Sequence, residues 1–451
     1  VIVMKFGGTS VQSAERIQRV CELITRRVAE QPVVVTSAMA GITNQLLTAI
    51  ELARRGDSSW RHHESELRTR HLEQAGLLAA HDAEPLQAID ALCEELRILL
   101  RGVSLAAEAP VETVDQILGF GELLAQQLLT SCLRGCGVRP VLCDAREVVV
   151  TDACFGAARV DHALTRARAA RLIAPLCAAG QIPVLGGYVG ATRDGRPTTL
   201  GRGGSDLSAS VLGLALDVAA IEIWTDVDGL MTADPRLVRA ARLLEHATFG
   251  EAAELAGFGA KVLHPASIDP AVRAGIPVYI RNSLDPTQRG TRIDQSGAAA
   301  SPSGVRAIAL RPAQALIMIE APGANRDPDF FATLLRTDVV RGGELAMLVP
   351  GPFGVDLVLQ QASTTPAGIE ALGRFGRVQV ERSLALIALV GEAVACDPQA
   401  LIRVLSILAP QRYRRVSPGP RGASVHLLVA EAEAPALMQT LHRELIEREA
   451  A

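Results

Sequence analysis

At 451 residues the chain has room for two or three domains, and 49% hydrophobic with 21% charged residues marks a protein able to bury large cores. A formal net charge of -4 and the lack of any lysine-rich or arginine-rich tract argue against nucleic acid as a partner and favour a small metabolite. No apolar run approaches the ~18 to 20 residues of a membrane span, and the opening VIVMKFGGTS is too short an apolar stretch for a signal peptide, so the expectation is a cytoplasmic protein.

In chain order, residues 1–6 read as an apolar strand running into Gly7, Gly8, Thr9 and Ser10. A helix follows from about Ser13, with Ile17, Val20, Cys21, Ile24 and Val28 at helical spacing and Pro32 ending the pattern. Residues 33–36 form a β-branched strand that leads into the loop 37–43. Strand, glycine loop, helix and strand together are the grammar of an open, mostly parallel sheet sandwiched by helices. Residues 44–135 read as mainly helical, with 61–73 a solvated helix face. Strands resume at 138–143 and 182–189, and Asp194-Gly195 predicts a hairpin turn before a strand at 197–200. The glycine-rich stretch 201–206 opens a helix, with Ser205 and Asp206 as good capping residues. A strand at 220–224, a helix within 249–264 and a strand at 278–281 follow. Residues 297–304 (GAAASPSG) read as a linker. Beyond it the units are shorter: strand 384–390, helix 398–408, strand 424–429 and helix 434–446. Residues 305–451 read as a separate domain or a pair of small α+β domains.

Among the 45 basic residues only Lys5 and Lys261 are lysines. A chain that writes arginine almost everywhere singles out two places that need a compact ammonium instead of a planar fork. Lys5 precedes Gly7 and Gly8, whose backbone N–H groups can approach phosphate oxygens beside a helix start. The lysine comes before the glycines, so the segment is not a Walker A loop. Lys261 lies in Phe258-Gly259-Ala260-Lys261-Val262-Leu263-His264-Pro265, where His264 reads as structural. Arg202 has the fork that grips a carboxylate, and Asp206 can fix the position of a cation. Thr225 and Asp226 follow a strand end, where nucleotides sit on parallel sheets. Glu122, on a predicted helix, reads as solvated from its local sequence. The eight cysteines read as scattered reduced thiols without a metal or redox role.

Taken together, KFGGTSV, SAMAGITN, GFGE, TLGRGGSD, IWTDVDGL with TADPR, and FGAKVLHP resemble the aspartate kinases of the amino acid kinase family, over about residues 1–293. The resemblance implies ATP-dependent phosphorylation of the side-chain carboxylate of L-aspartate, the first step of the branch leading to lysine, threonine and methionine. It implies that Lys5, Phe6, Gly7, Gly8, Ser10, Ser205, Thr225, Asp226, Met231, Arg236, Lys261 and Val262 hold ATP, with Met231 standing where tyrosine is common. Ser37, Thr43, Glu122, Tyr188, Arg202, Gly203 and Asp206 would hold aspartate, Arg202 at the α-carboxylate and Glu122 at the ammonium. Lys5, Asp206 and Lys261 would be the catalytic set, with Mg²⁺ carried mainly by the nucleotide phosphates and no metal site built by the protein. The resemblance implies a catalytic domain over 1–296, and the C-terminal part resembles paired ferredoxin-like ACT regulatory domains, a degenerate one over 305–380 and another over 381–451. This implies an amino-acid effector and a homodimer or higher homo-oligomer. The stretches PDFFATLLR and VDLVLQQAS depart from the glycine-aromatic helix start and VDxIxTS-like strand of members that bind lysine or threonine. Sister kinases for glutamate, N-acetylglutamate, carbamate or UMP usually lack the FGAKVLHP block and the ACT tail.

Overall fold

The computed structural model describes residues 1–78, 84–258, 265–296, 304–321, 323, 328–392, 394–409, 413–419 and 422–448. Ile2–Phe6 (β1) is buried at every position, as a strand covered on both faces must be. Its side chains alternate. Ile2, Met4 and Phe6 join a core with Ile17, Val20 and Ile24 of the helix Ala14–Arg26 (α1), leaving Lys5 for the other face. Ser13 caps α1, its side chain accepting from the N–H of Arg16.

Pro32–Thr36 (β2) leads into four helices, Ile42–Arg54 (α2), Trp60–Leu78 (α3), Glu84–Ala106 (α4) and Val111–Gly135 (α5). Then come Pro140–Cys143 (β3), Ala145–Val148 (α6), Val150–Thr151 (β4), His162–Leu172 (α7), Ala174–Ala178 (α8), Ile182–Gly186 (β5), Val189–Thr192 (β6), Pro197–Thr199 (β7) and Gly204–Leu216 (α9). Ala220–Thr225 (β8), His246–Thr248 (β9), Phe249–Gly257 (α10), Asp269–Ala274 (α11), Val278–Asn282 (β10) and Thr291–Asp294 (β11) follow. The main sheet runs β3-β5-β2-β1-β8-β10-β11-β9. All its pairings are parallel except β10 with β11. β1 is flanked in parallel register by β2 and β8, so the chain reverses its direction of travel across the sheet there. On such sheets ligands bind at this switch point, beyond the carboxyl ends of the strands.

Three local readings change. The single strand expected over 182–189 is two strands in different sheets, because Tyr188 adopts φ +67° and redirects the chain. Residues 61–73 are not a wholly solvated face. α3 buries Trp60, Glu64, Leu67, His71 and Ala75, one residue per turn, and burial holds the Glu64 carboxyl above and the His71 imidazole below their ordinary values. The cap of α9 is Gly203 at φ +68°, not Ser205 or Asp206, which sit inside its first turn.

The chain divides into two units. The first holds residues 1–230, 243–253 and the described part of 261–298. The second holds 231–242, the described part of 254–260, and the described residues beyond 299. The catalytic domain read as 1–296 therefore cedes two segments. The reason is packing: Ala233 and Val238 belong to a core with Ile308, Ile387, Val404 and Leu427.

The second unit contains Ala307–Glu320 (β12), Pro328–Leu335 (α12), Asp338–Gly342 (α13), Met347–Gly351 (β13), Gly354–Gln360 (β14), Pro366–Gly373 (α14) and Arg377–Val390 (β15). Pro398–Leu408 (α15), Tyr413–Pro418 (β16), Ser424–Ala430 (β17) and Ala434–His442 (α16) complete it. Its sheet, β13-β14-β12-β15-β17-β16, is antiparallel at every pairing. β12 and β15 each kink once, at Ala313 (φ +55°) and Ser383 (φ +59°), and the register shifts there. The far half of β12, α12–α13, β13, β14, α14 and the near half of β15 make one strand-helix-strand-strand-helix-strand module around Ile317, Leu334 and Leu357. The near half of β12 packs instead with the rest of β15, α15, β16, β17 and α16. The boundary read at 380/381 thus falls inside a strand, and one module is inserted in the other. The module read as degenerate has its full set of elements.

Candidate active site

Lys5 leaves β1 on the face of the sheet where α9 begins, and its Nζ lies 2.5 Å from Asp206 Oδ1. Both groups are largely shielded, the side chains being 9% and 14% exposed, so water screens this pair weakly. The pair lies in a cleft of about 570 Å³. Around it are Gly8 from the loop after β1, Ser37 from the loop after β2, Thr43 from the first turn of α2, Glu122 from α5, Tyr188 from the β5–β6 turn, and Arg202, Gly203 and Ser205 from the start of α9.

The loops that shape the cleft brace one another. The Ser37 N–H donates to Phe6 O at 3.1 Å and the Ala40 N–H to Gly8 O at 3.0 Å. A Cβ on Gly8 would come within 2.6 Å of Ala38 O, so only glycine allows this approach. On the opposite wall a Cβ on Gly121 would lie 2.8 Å from the Ala38 methyl. That closeness brings the next residue, Glu122, against the same loop. Glu122 is buried, contrary to the solvated reading. Its Oε1 accepts from the Ala38 N–H at 3.2 Å while Oε2 has no protein partner. Burial pushes its carboxyl up to about 8, against the opposing pull of the Ala38 N–H and of Lys5.

Tyr188 keeps its left-handed backbone because the Ser208 hydroxyl accepts its N–H at 2.9 Å. Asp115, which sequence reasoning missed, anchors two cleft segments. It accepts from the Gly156 N–H at 2.8 Å, the Thr199 N–H at 2.8 Å and the Thr199 hydroxyl at 2.8 Å. Nothing in VETVDQ marks it. Its partners lie 41 and 84 residues away.

Other expected nucleotide residues fall outside the cleft lining. Phe6 is buried against Trp224, with ring centroids 6.1 Å apart, and the Gly7 N–H donates to Trp224 O at 3.0 Å. The Ser10 hydroxyl meets that of Ser283 at 2.7 Å, and Ser283 in turn donates to Thr225 O at 2.9 Å. The Thr225 hydroxyl donates to Asp226 at 3.2 Å. Ser10, Ser283, Thr225 and Asp226 therefore form one chain of polar contacts at the ends of β1, β8 and β10. Met231 and Arg236 belong to the second unit, where Arg236 grips Asp234 at 2.6 Å. Lys261 and Val262, with His264, lie outside the described residues.

A buried cation–carboxylate pair at the switch point of a parallel sheet, beneath glycine-rich loops, defines a phosphoryl-transfer class of site. The family model for the amino acid kinase family matches residues 1–282. The chain is 33% identical over 460 residues to the lysine-sensitive aspartokinase 3 of Escherichia coli K12, covering 99% of each chain. Its structure is similar to that of E. coli aspartokinase III in complex with lysine and aspartate (T-state), with TM-score 0.86, 32% identity and 99% of each chain covered. It is also similar to the same enzyme in complex with aspartate and ADP (R-state), with TM-score 0.83, 32% identity and 99% of each chain covered. The chain belongs to the amino acid kinase family, in its aspartokinase branch. Its activity is that of an ATP-dependent kinase acting on the aspartate carboxyl group. No helix among the described residues is long and apolar enough to cross a membrane.

Proposed function

We propose that the cleft around Lys5 transfers the γ-phosphoryl group of ATP to the side-chain carboxylate of L-aspartate, giving 4-phospho-L-aspartate and ADP. The carrying observation is the Lys5–Asp206 pair at 2.5 Å in a cleft that also presents Glu122 and Arg202. The nucleophile is a carboxylate, already ionised at pH 7, so no general base is needed. Its oxygen bonds to the γ-phosphorus as the bond from that phosphorus to the β,γ-bridging oxygen breaks, and ADP takes the electron pair. What the protein must supply is position and positive charge.

Lys5 offsets charge on the moving phosphoryl oxygens, and Asp206 holds the ammonium where those oxygens pass. Arg202 grips the α-carboxylate of aspartate. The unpartnered Oε2 of Glu122 receives its ammonium, and Ser37, Thr43, Tyr188 and Gly203 complete the substrate wall. Arrival of the ammonium draws Glu122 to its ionised form and releases a proton. Phe6, Gly7, Gly8, Ser10, Ser205, Thr225, Asp226, Met231, Arg236, Lys261 and Val262 serve the nucleotide. In this reading Lys261 is the second catalytic cation.

Mg²⁺ suits this donor set as an ion carried by the nucleotide. The cleft carboxylates have other work, Asp206 on Lys5 and Glu122 against Ala38, and a small, strongly hydrated cation is content with phosphates and water. When bound it supplies further charge neutralisation. The two modules of the second unit act as ACT-like regulatory domains for an amino-acid effector, supported by their strand and helix order and by the lysine complex of the E. coli relative. The open edges of their sheet, β13 and β16, suit pairing between copies in a homodimer or higher homo-oligomer. The protein works in the cytoplasm.

The test is ADP release dependent on added amino acid, with aspartate, glutamate and N-acetylglutamate compared, and lysine or threonine added in turn. Turnover on aspartate alone is expected. Equal turnover on glutamate would overturn the substrate assignment, and insensitivity to every amino acid added would overturn the effector assignment.

A further inference from the structure

Away from the cleft, three cysteines that the sequence scatters come together. Cys21 lies in α1, while Cys132 in the last turns of α5 and Cys136 at its C-cap are four residues apart and share a helix face. The three Sγ atoms all lie within 4.8 Å of one another. Among the described residues this is the one group of three His, Cys, Asp or Glu donors so gathered. Cys21 and Cys132 are buried in the core between α1 and α5, and Cys136 is exposed at its rim. No disulfide consumes any of them.

We propose that Cys21, Cys132 and Cys136 form a binding site for a thiophilic d¹⁰ metal ion, with Zn²⁺ as the reference ion. Zn–S bonds of about 2.3 Å in tetrahedral geometry place sulfurs about 3.8 Å apart, so a small inward rotation of three side chains completes the set. Soft thiolates select Zn²⁺ and its congeners over Mg²⁺ or Ca²⁺. Two buried ligands exclude water from one side. The exposed Cys136 is the entry point and leaves the fourth position to water. Coordination converts each thiol to a thiolate and releases one proton per ligand to solvent.

The ion would tie α1 to the end of α5. Cys132 lies ten residues beyond Glu122, about 15 Å along the helix, so the clamp acts on stability and not on the reacting atoms.

The experiment uses the full chain, reduced and stripped of metal, titrated separately with Zn²⁺ and Cd²⁺. Thiolate-to-cadmium charge-transfer absorption, proton release and thermal unfolding are followed. One equivalent is expected to bind, with charge-transfer absorption, release of up to three protons and a higher unfolding temperature. Cys136→Ser, at an exposed position, should weaken binding by about 100-fold or more while leaving the metal-free kinase activity unchanged. The double variant Cys154→Ser/Cys396→Ser, which removes exposed thiols elsewhere, should bind as the parent does. Absence of stoichiometric uptake, charge-transfer absorption that survives Cys136→Ser, or its loss in the double variant would each overturn the proposal.

Discussion

In the first unit the buried carboxylate of Glu122 keeps one oxygen without a protein partner. In the second, the partly buried carboxylate of Glu254 accepts from the Ser424 hydroxyl at 2.5 Å and meets His426 Nε2 at 3.1 Å, and Ser424 and His426 also meet at 2.9 Å. The Phe258 ring covers that imidazole at 4.7 Å. Buried His442 is closed in the same way, between the Thr232 hydroxyl at 2.9 Å and Glu447 at 2.7 Å. Burial with a single hydrogen bond from the Ala38 N–H raises the Glu122 carboxyl. At Glu254 burial also pushes upward, but the His426 and Ser424 hydrogen bonds outweigh it and hold the carboxyl below its ordinary value. The spare oxygen of Glu122 is kept at a cost to stability, and in the proposed function the ammonium of aspartate completes its network.

Four substitutions test this contrast. The largest effect is expected for Lys5→Ala, a loss in kcat of about 10³-fold, since it removes a preorganised charge from the transferring phosphoryl group. Steady-state kinetics with saturating aspartate checks it, and near-normal kcat would remove Lys5 from the chemistry. Asp206→Asn keeps the shape but loosens the ammonium, and about a 10²-fold fall in kcat is expected with circular dichroism unchanged.

Glu122→Gln should raise the KM for aspartate about 10-fold or more while changing kcat less. The parent carries a distinctive pH signature here. Its folded carboxyl titrates near 8 against an ordinary 4.5, so between these values the folded state holds the extra proton and stability falls as pH rises. Denaturant titrations across that window should show the slope in the parent and not in Glu122→Gln. Substrate affinity has the opposite sign. On the proposed role of Glu122 the ammonium of aspartate pairs with the ionised form, so the KM for aspartate should fall as pH rises toward 8.

The smallest effect on catalysis belongs to Glu254→Gln. It should leave kcat at saturating substrates unchanged and cost about 1 to 3 kcal/mol of stability, the penalty for disturbing a closed buried network. Because the Glu254 carboxyl is depressed, its contribution is present above the ordinary carboxylate value and is lost as pH falls through the lowered one. Acid unfolding should therefore differ less between variant and parent than neutral unfolding does.

Much of the first unit was legible because its signals are local. The short run Ile2–Phe6, apolar but for Lys5 and stopped by two glycines, reads as a strand, Ser13 is a helix cap by its chemistry, and Asp194-Gly195 makes the hairpin turn between β6 and β7. Where reading failed, the deciding partner was remote in sequence. The face that Glu122 presents depends on how closely α5 meets the loop after β2. Tyr188 breaks a strand because Ser208, twenty residues on, takes its N–H. The inserted module escaped notice because β12 and β15 each serve two cores, and hydropathy along a strand does not say which core it faces.

By itself the sequence determined the order of elements, the glycine loops beside Lys5 and the rarity of lysine that drew attention to it. Those are properties of neighbours along the chain, where sterics and periodicity act within a few residues. Only the tertiary structure decided that Lys5 meets Asp206 201 residues later, that Glu122 is buried, and that Cys21 joins Cys132 and Cys136. Charge pairing, desolvation and metal-ligand geometry depend on distances through space, and packing alone sets those.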